Sequence, residues 1–137
     1  MTKYTFTMIK PDAVSRGIIG DILSKIETVG QIVDMRMEKM TKEIAEEFYK
    51  EHKERSFFNE MISDITAGPV VLICLKGGEN LVSNLRTLMG DTNPDNAALG
   101  TIRKSFALSI GLNSIHGSDS NTSADRELGI FFPNIKK

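Results

Sequence analysis

The sequence predicts an α+β domain: an antiparallel four-stranded sheet with helices packed on it and a long loop before the last strand. Three observations carry that expectation. Strand-type and helix-type apolar spacings alternate along the chain. Residues 32–40 set Val33, Met35 and Met37 against Asp34, Arg36 and Glu38, as a sheet covered on one side does. Residues 70–75 are an unbroken apolar run, which suits a central strand buried on both faces.

Taken in order, residues 4–9 alternate Tyr4, Phe6 and Met8 with Thr5, Thr7 and Ile9 and form the first strand. Pro11 ends it, because proline donates nothing to a ladder. Gly17 and Gly20 mark a turn. Ile18, Ile22, Leu23, Ile26 and Val29 then recur at helical spacing, so residues 18–29 are a helix with Gly30 as its C-cap. After the second strand, 32–40, Thr41 caps a charged helix running to about residue 51. A short helix over 59–65 ends before Gly68 and Pro69. The central strand, 70–75, is followed by a helix over 79–89 with Leu81, Val82, Leu85 and Met89 inward. From 90 to 111 the pattern lapses around the turn chemistry of Asn93-Pro94-Asp95-Asn96. So long a loop in a small domain points to function. A short strand, 114–117, precedes a helix starting near Ser120 or Asn121. Without its insertions the order is βαββαβ, the ferredoxin-like sandwich.

With 137 residues the chain is one domain, 1–137, large enough for a core without disulfide staples. Its 17 basic and 18 acidic residues balance, which argues against tight or sequence-specific nucleic-acid binding and against coating anionic lipid. No apolar run is long enough for a membrane helix, and residues 1–10 lack the layout of a signal peptide. The single cysteine, Cys74, reads as a small buried hydrophobe. Without disulfides or a signal peptide, a cytoplasmic location is expected. The two histidines, His52 and His116, are too far apart for a zinc helix.

GxxxxGK[ST] and GxGxxG are both absent, so no common phosphate-binding loop is present. Residues 113–120 are richer. His116 ends a strand just before a helix N-terminus, where free N–H groups suit an anion. An imidazole there is a nucleophile if another group fixes its tautomer; otherwise it fills a turn. On the last helix Ala124, Glu127, Leu128 and Phe131 share a face. Three are apolar, so Glu127 points inward and needs a partner, or else curls out to solvent. His116 is the nearest candidate partner. Lys10, Arg86 and Arg103 are solvated charges singly and a polyphosphate site together. Phe57 of the Phe57-Phe58 pair is either core or a stacking platform for a base. A hydrolase triad of His116, Ser118 and Asp119 is rejected, since such close neighbours do not adopt its geometry. His52 reads as structural or solvent-facing.

Four segments then resemble one family in order and spacing: Thr7-Met8-Ile9-Lys10-Pro11-Asp12-Ala13-Val14, Gly90-Asp91-Thr92-Asn93-Pro94, Gly100-Thr101-Ile102-Arg103, and Asn113-Ser114-Ile115-His116-Gly117-Ser118-Asp119-Ser120. Along nearly its whole length the chain resembles the nucleoside diphosphate kinases. The resemblance implies a ping-pong transfer, in which the γ-phosphate of a nucleoside triphosphate such as ATP passes to His116 through Nδ1 and then to a different nucleoside diphosphate. It makes Glu127 the orienting carboxylate and Ser118 the serine behind it. Lys10, Arg86 and Arg103 match the phosphate-binding cations, Thr92 a phosphate-contacting hydroxyl, and Tyr49 a tyrosine beside the histidine. Phe57 matches the phenylalanine that stacks on the base. Asn113 with Lys10 matches the pair that reads the sugar 3′-hydroxyl, so ribo- and deoxyribonucleotides are both expected substrates. Mg²⁺ on the nucleotide phosphates is the implied cofactor, with no protein metal ligand assigned. A homo-oligomer is implied, a tetramer or hexamer built from dimers.

The chain also departs from the family pattern. After Gly30 it is one residue short, Ser56 stands where proline is frequent, and Leu112 replaces a basic or polar residue. None of these removes a catalytic position. The alternative is a ferredoxin-like nucleotide-binding regulatory module without turnover, which the intact set His116, Lys10, Arg103, Asn113 and Glu127 opposes.

Overall fold

Period-two alternation in two adjacent strands builds two cores at once, and that sets the architecture. The computed structural model describes residues 1–135. In chain order the elements are β1 (Lys3–Ile9), α1 (Pro11–Ser15), α2 (Ile19–Ile26), β2 (Gln31–Lys39), α3 (Lys42–Phe48), α4 (Phe58–Thr66), β3 (Pro69–Gly77), α5 (Leu81–Met89), α6 (Ile102–Phe106), β4 (Ile115–Gly117) and α7 (Asn121–Phe131). Single 3₁₀ turns follow α3, at Lys50–His52, and α5, at Pro94–Asn96. Among the described residues the sheet has four strands in the order β2-β3-β1-β4, and every pairing is antiparallel. This is the ferredoxin-like arrangement expected from βαββαβ.

Phe6 and Met8 of β1 lie on one face with Val70, Leu72 and Cys74 of β3, under Phe48 of α3, Ile62 and Ile65 of α4 and Leu128 and Phe131 of α7. Ile9, Val71, Ile73 and Leu75 lie on the other, under Ile22 and Ile26 of α2 and Leu81, Leu85 and Met89 of α5. Each such buried side chain contributes roughly 1.5–3 kcal/mol. The apolar run of 70–75 is therefore central because helices cover both its faces.

Several expectations need correction. Pro11 ends β1 but also opens α1 as its first residue, where the missing N–H costs nothing. The helix expected over 18–29 runs only from Ile19 to Ile26, with Glu27 at its C-cap. Gly30 is thus no helix cap. A Cβ there would sit 3.0 Å from Leu81 Cδ1 and 3.1 Å from the Lys76 carbonyl, so close packing requires the glycine. The charged helix stops at Phe48 rather than near 51, and the 3₁₀ turn that follows swings Tyr49 and His52 toward the site. The loop over 90–111 contains α6, capped by Thr101 Oγ1 accepting from Lys104 N. Val33, Met35 and Met37 are 38%, 45% and 55% exposed: Met35 and Met37 lie opposite Ile73 and Val71 on the face under α2 and α5, but β2 is the edge strand and those helices do not fully cover it.

Candidate active site

Strand β4 is three residues long, yet it holds the chemical centre in place. His116 lies opposite Met8 of β1, and Thr7 Oγ1 donates to the His116 carbonyl at 2.7 Å. Helix α7 is capped by Ser120, whose Oγ accepts from Ser123 N, and Ala124, Leu128 and Phe131 seat it in the core. Their shared face carries Glu127 inward, where it is 7% exposed. Glu127 Oε1 lies 2.8 Å from His116 Nε2 and accepts from Ser118 Oγ at 2.8 Å. A carboxylate accepts only, so it selects the Nε2–H tautomer and leaves the lone pair on Nδ1. The imidazole also packs edge-on against Phe48, 4.8 Å between centroids.

Three cations converge on the same cleft, which has a volume of about 650 Å³. Lys10 directly follows β1, and its Nζ donates to the Gly111 carbonyl and to Asn113 Oδ1, both at 3.1 Å. Burial lowers its pKa below the ordinary 10.5, partly opposed by Asp12. Arg103 of α6 donates from Nη1 to the Gly90 carbonyl at 3.0 Å and from Nη2 to the Ile115 carbonyl at 2.9 Å. Burial first, and then the Arg86 charge, bring its pKa down to about 10. Arg86 of α5 donates to the Gly117 carbonyl at 3.2 Å. Arg103 is buried and Lys10 partly so, with exposed Arg86 beside them; like charges brought together partly out of water are costly, and an anion bound among them relieves that cost.

At the outer end Phe57 is 44% exposed, which takes its ring out of the core and leaves it lining the cleft. The Arg55 guanidinium lies 5.8 Å from its ring centroid, and the His52 ring lies 6.4 Å away. Tyr49 is buried against Phe48 at 4.7 Å between centroids, and burial pushes its pKa up. Asn113 is buried and donates from Nδ2 to the Ile110 carbonyl at 2.9 Å.

Lys10, Tyr49, Phe57, Arg86, Thr92, Arg103, Asn113, His116 and Glu127 all line this cleft. Ser118 does not; it is buried behind Glu127. Several lining residues were missed by sequence reasoning. Of the two readings of His52, structural or solvent-facing, the half-buried ring excludes the second, and its Nδ1 is buried without a hydrogen bond. Asp64 lies beside Gly111, and burial raises its pKa. Phe48 braces the imidazole, and Arg126 donates to the Phe48 carbonyl. The one available signal was Asp64, a polar residue between the inward Ile62 and Ile65.

The family model described as nucleoside diphosphate kinase matches residues 3–136. A nucleoside diphosphate kinase of Deinococcus radiodurans is 53% identical over 129 residues, 93% of this chain and 93% of that protein. One from Brevibacillus brevis is 50% identical over 129 residues, 93% of this chain and 87% of that protein. The solved structure of the Aquifex aeolicus nucleoside diphosphate kinase superposes with a TM-score of 0.91 at 38% identity, covering 96% of each chain. A histidine held by a buried carboxylate, beside three converging cations, in a chain alike over nearly its full length: the chain belongs to the nucleoside diphosphate kinase family.

Proposed function

We propose that this enzyme, a phosphotransferase between nucleotides, works through a phosphohistidine at His116 within a single domain over 1–137. The observation that carries the proposal is the 2.8 Å contact between His116 Nε2 and Glu127 Oε1, with no protein hydrogen bond to Nδ1 among the described residues. The Nδ1 lone pair attacks the γ-phosphorus of a nucleoside triphosphate, typically ATP. The bond from phosphorus to the bridging oxygen breaks, and the nucleoside diphosphate leaves with that oxygen. A terminal oxygen of a second nucleoside diphosphate then attacks the same phosphorus, and the N–P bond breaks. A loose phosphoryl transition state needs positioning and spread positive charge, which Lys10, Arg86 and Arg103 supply. Glu127 keeps the ring oriented and stabilises the positive charge that develops on it, and Ser118 holds Glu127. Thr92 and Tyr49 offer hydroxyls to the phosphates.

Phe57 stacks on the base, and stacking tolerates any base because each has a π-face. Lys10 with Asn113 takes the 3′-hydroxyl, so deoxy forms are substrates too. Mg²⁺ is the proposed cofactor. Among the described residues no group of three His, Cys, Asp or Glu is arranged to hold an ion, while the three cations suit an anion that brings one with it. When bound on the nucleotide it neutralises phosphate charge. We further propose a homo-oligomer, a tetramer or hexamer built from dimers, supported by the exposed apolar residues of edge strand β2. Among the described residues no helix is long and apolar enough to cross a membrane. A cytoplasmic location is part of the proposal, supported by a lone, buried cysteine.

The test is incubation with γ-labelled ATP. An acid-labile, base-stable label is expected on the protein, discharged by GDP to give GTP. Persistence of that label in His116→Ala would overturn the assignment of the nucleophile.

A further inference from the structure

Among the described residues Ser114 is the one non-glycine with positive φ, 74°. The Ile115 N–H donates to the Asn113 carbonyl at 2.9 Å, so Ser114 is the centre of a γ-turn of the rare, strained hand. That conformation is disfavoured for any side chain with a Cβ. It persists only where surrounding contacts over-determine it, and such places cluster at functional sites. The contacts here are specific. Ser114 is fully buried. Its Oγ donates to Asp12 Oδ2 at 3.2 Å and accepts from Arg16 Nη2 at 3.0 Å. The same Arg16 nitrogen donates to the Phe106 carbonyl at 2.6 Å, and Arg16 Nε donates to the Asp12 carbonyl at 3.1 Å. The Ser114 carbonyl accepts from Lys10 N at 2.9 Å.

One hydroxyl therefore joins α1, the end of α6 and the turn before β4. The residue before α1 is Lys10, and the residue before Ser114 is Asn113. Their side chains meet at 3.1 Å in the cleft. A glycine would take this turn without strain but would offer no hydroxyl to anchor it.

We propose that Ser114 is a positioning residue acting through Asn113. Its hydroxyl, clamped between Asp12 and Arg16, locks the turn that aims Asn113 Oδ1 at Lys10 Nζ, and so tunes affinity for the 3′-hydroxyl of the nucleotide. The proposal rests on the nucleotide reading of the cleft given above. Ser114 touches neither phosphate nor imidazole, so its loss raises KM for the acceptor more than it lowers kcat.

The experiment compares dGDP with 2′,3′-dideoxy-GDP, which differ only in the 3′-hydroxyl. Initial rates and nucleotide-induced thermal shifts are measured for the full chain, Ser114→Ala, Ser114→Gly and Asp12→Asn. With dGDP each variant is expected to lose roughly tenfold in kcat/KM, mostly in KM, which is about 1.4 kcal/mol. With dideoxy-GDP the variants and the parent are expected to match. An equal loss with both acceptors, or no loss with either, overturns the proposal. If Ser114→Ala does not fold, Ser114→Gly carries the test, since it keeps positive φ without strain. The thermal shifts separate two failures. A parent that binds dGDP more tightly than dideoxy-GDP without turnover sinks the catalytic reading alone. A parent that binds neither sinks both.

Discussion

At residue scale the site depends on a carboxylate that a solvent-facing helix would never place inward. Glu127 is legible in the sequence because three apolar neighbours share its face, and its partner because His116, just upstream of the same helix, is the nearest candidate. Glu127→Gln keeps the shape and can still accept from Ser118, but it no longer carries the charge that supports a developing imidazolium. We expect kcat to fall by roughly 10²-fold with stability changed by about 1 kcal/mol; steady-state kinetics beside thermal melting checks this, and unchanged turnover contradicts it. A second expectation concerns pH. Lys10 and Arg103 are bases whose folded pKa values are depressed, Arg103 to about 10. Both therefore lose their protons earlier than free side chains as pH rises. kcat/KM, which reports the free enzyme, should fall on the alkaline side with a midpoint below 10.5. The stability linkage has the opposite sign. Above about 10, where the folded Arg103 has lost its proton and the unfolded side chain still holds one, the unfolded chain binds more protons, so the contribution of Arg103 to stability rises with pH. A kcat/KM profile flat through 10.5 would contradict the placement of these cations in the phosphate site. His52 was not legible and Asp64 only as a polar residue between two inward ones, because whether they face the cleft depends on the 3₁₀ turn after α3 and on the approach of Gly111 to α4, both set by tertiary contacts.

At element scale, long periodic segments were legible and short ones were not. Strands β1 and β3 and helices α5 and α7 repeat their pattern often enough to identify type and inward face. Helix α1 and helix α6 have five residues each, too few to repeat a helical period, and α6 lies within what reads as loop. Yet α6 supplies Arg103, so the resemblance of Gly100-Thr101-Ile102-Arg103 located a residue whose element was unforeseen. Strand β4 is short for a different reason: it stops where Gly117 must pass under α5. A Cβ on Gly117 would collide with Met89 Sδ and lie 3.2 Å from Leu85 Cδ2. The carbonyl of the same residue accepts from Arg86. Gly117→Ala must therefore displace the ends of the Met89 and Leu85 side chains, which are buried in the core, and as far as these do not yield it lifts β4 and His116 away from α5 and Arg86. We expect a loss of about 1–3 kcal/mol in stability from overpacking, and a fall in kcat larger than that of a distant core variant of equal melting temperature. Denaturant melts and steady-state rates on the two variants decide it, and equal activity at equal stability would mean that β4 does not set the distance between histidine and cation.

Over the whole molecule, the candidate site and the exposed apolar edge strand lie at opposite edges of one sheet. The order β2-β3-β1-β4 puts His116 on one edge strand and β2 on the other, three strand spacings apart, or about 14 Å at 4.7–4.9 Å each. Met35 and Met37 pair with Ile73 and Val71, so they share the face covered by α2 and α5, but those helices leave them about half exposed. A strand edge with open hydrogen-bonding groups and apolar side chains is a template for pairing with another chain. The alternation of 32–40 correctly gave two chemically distinct sides; what it left open is that the apolar side has no partner within one chain. Replacing Met35 and Met37 together by Glu charges that face at side chains that are only about half covered, so the monomer's own stability should fall by no more than about 1 kcal/mol per site. We expect the parent to sediment as an oligomer at micromolar concentration and the double variant as a smaller species. The variant should still take label from γ-labelled ATP, since nothing it changes touches His116, Glu127 or the three cations. A parent that sediments as a monomer, or a variant with unchanged mass, would show that β2 is not the assembly edge. Loss of label together with loss of mass would instead show that the site at the far edge is completed only in the oligomer.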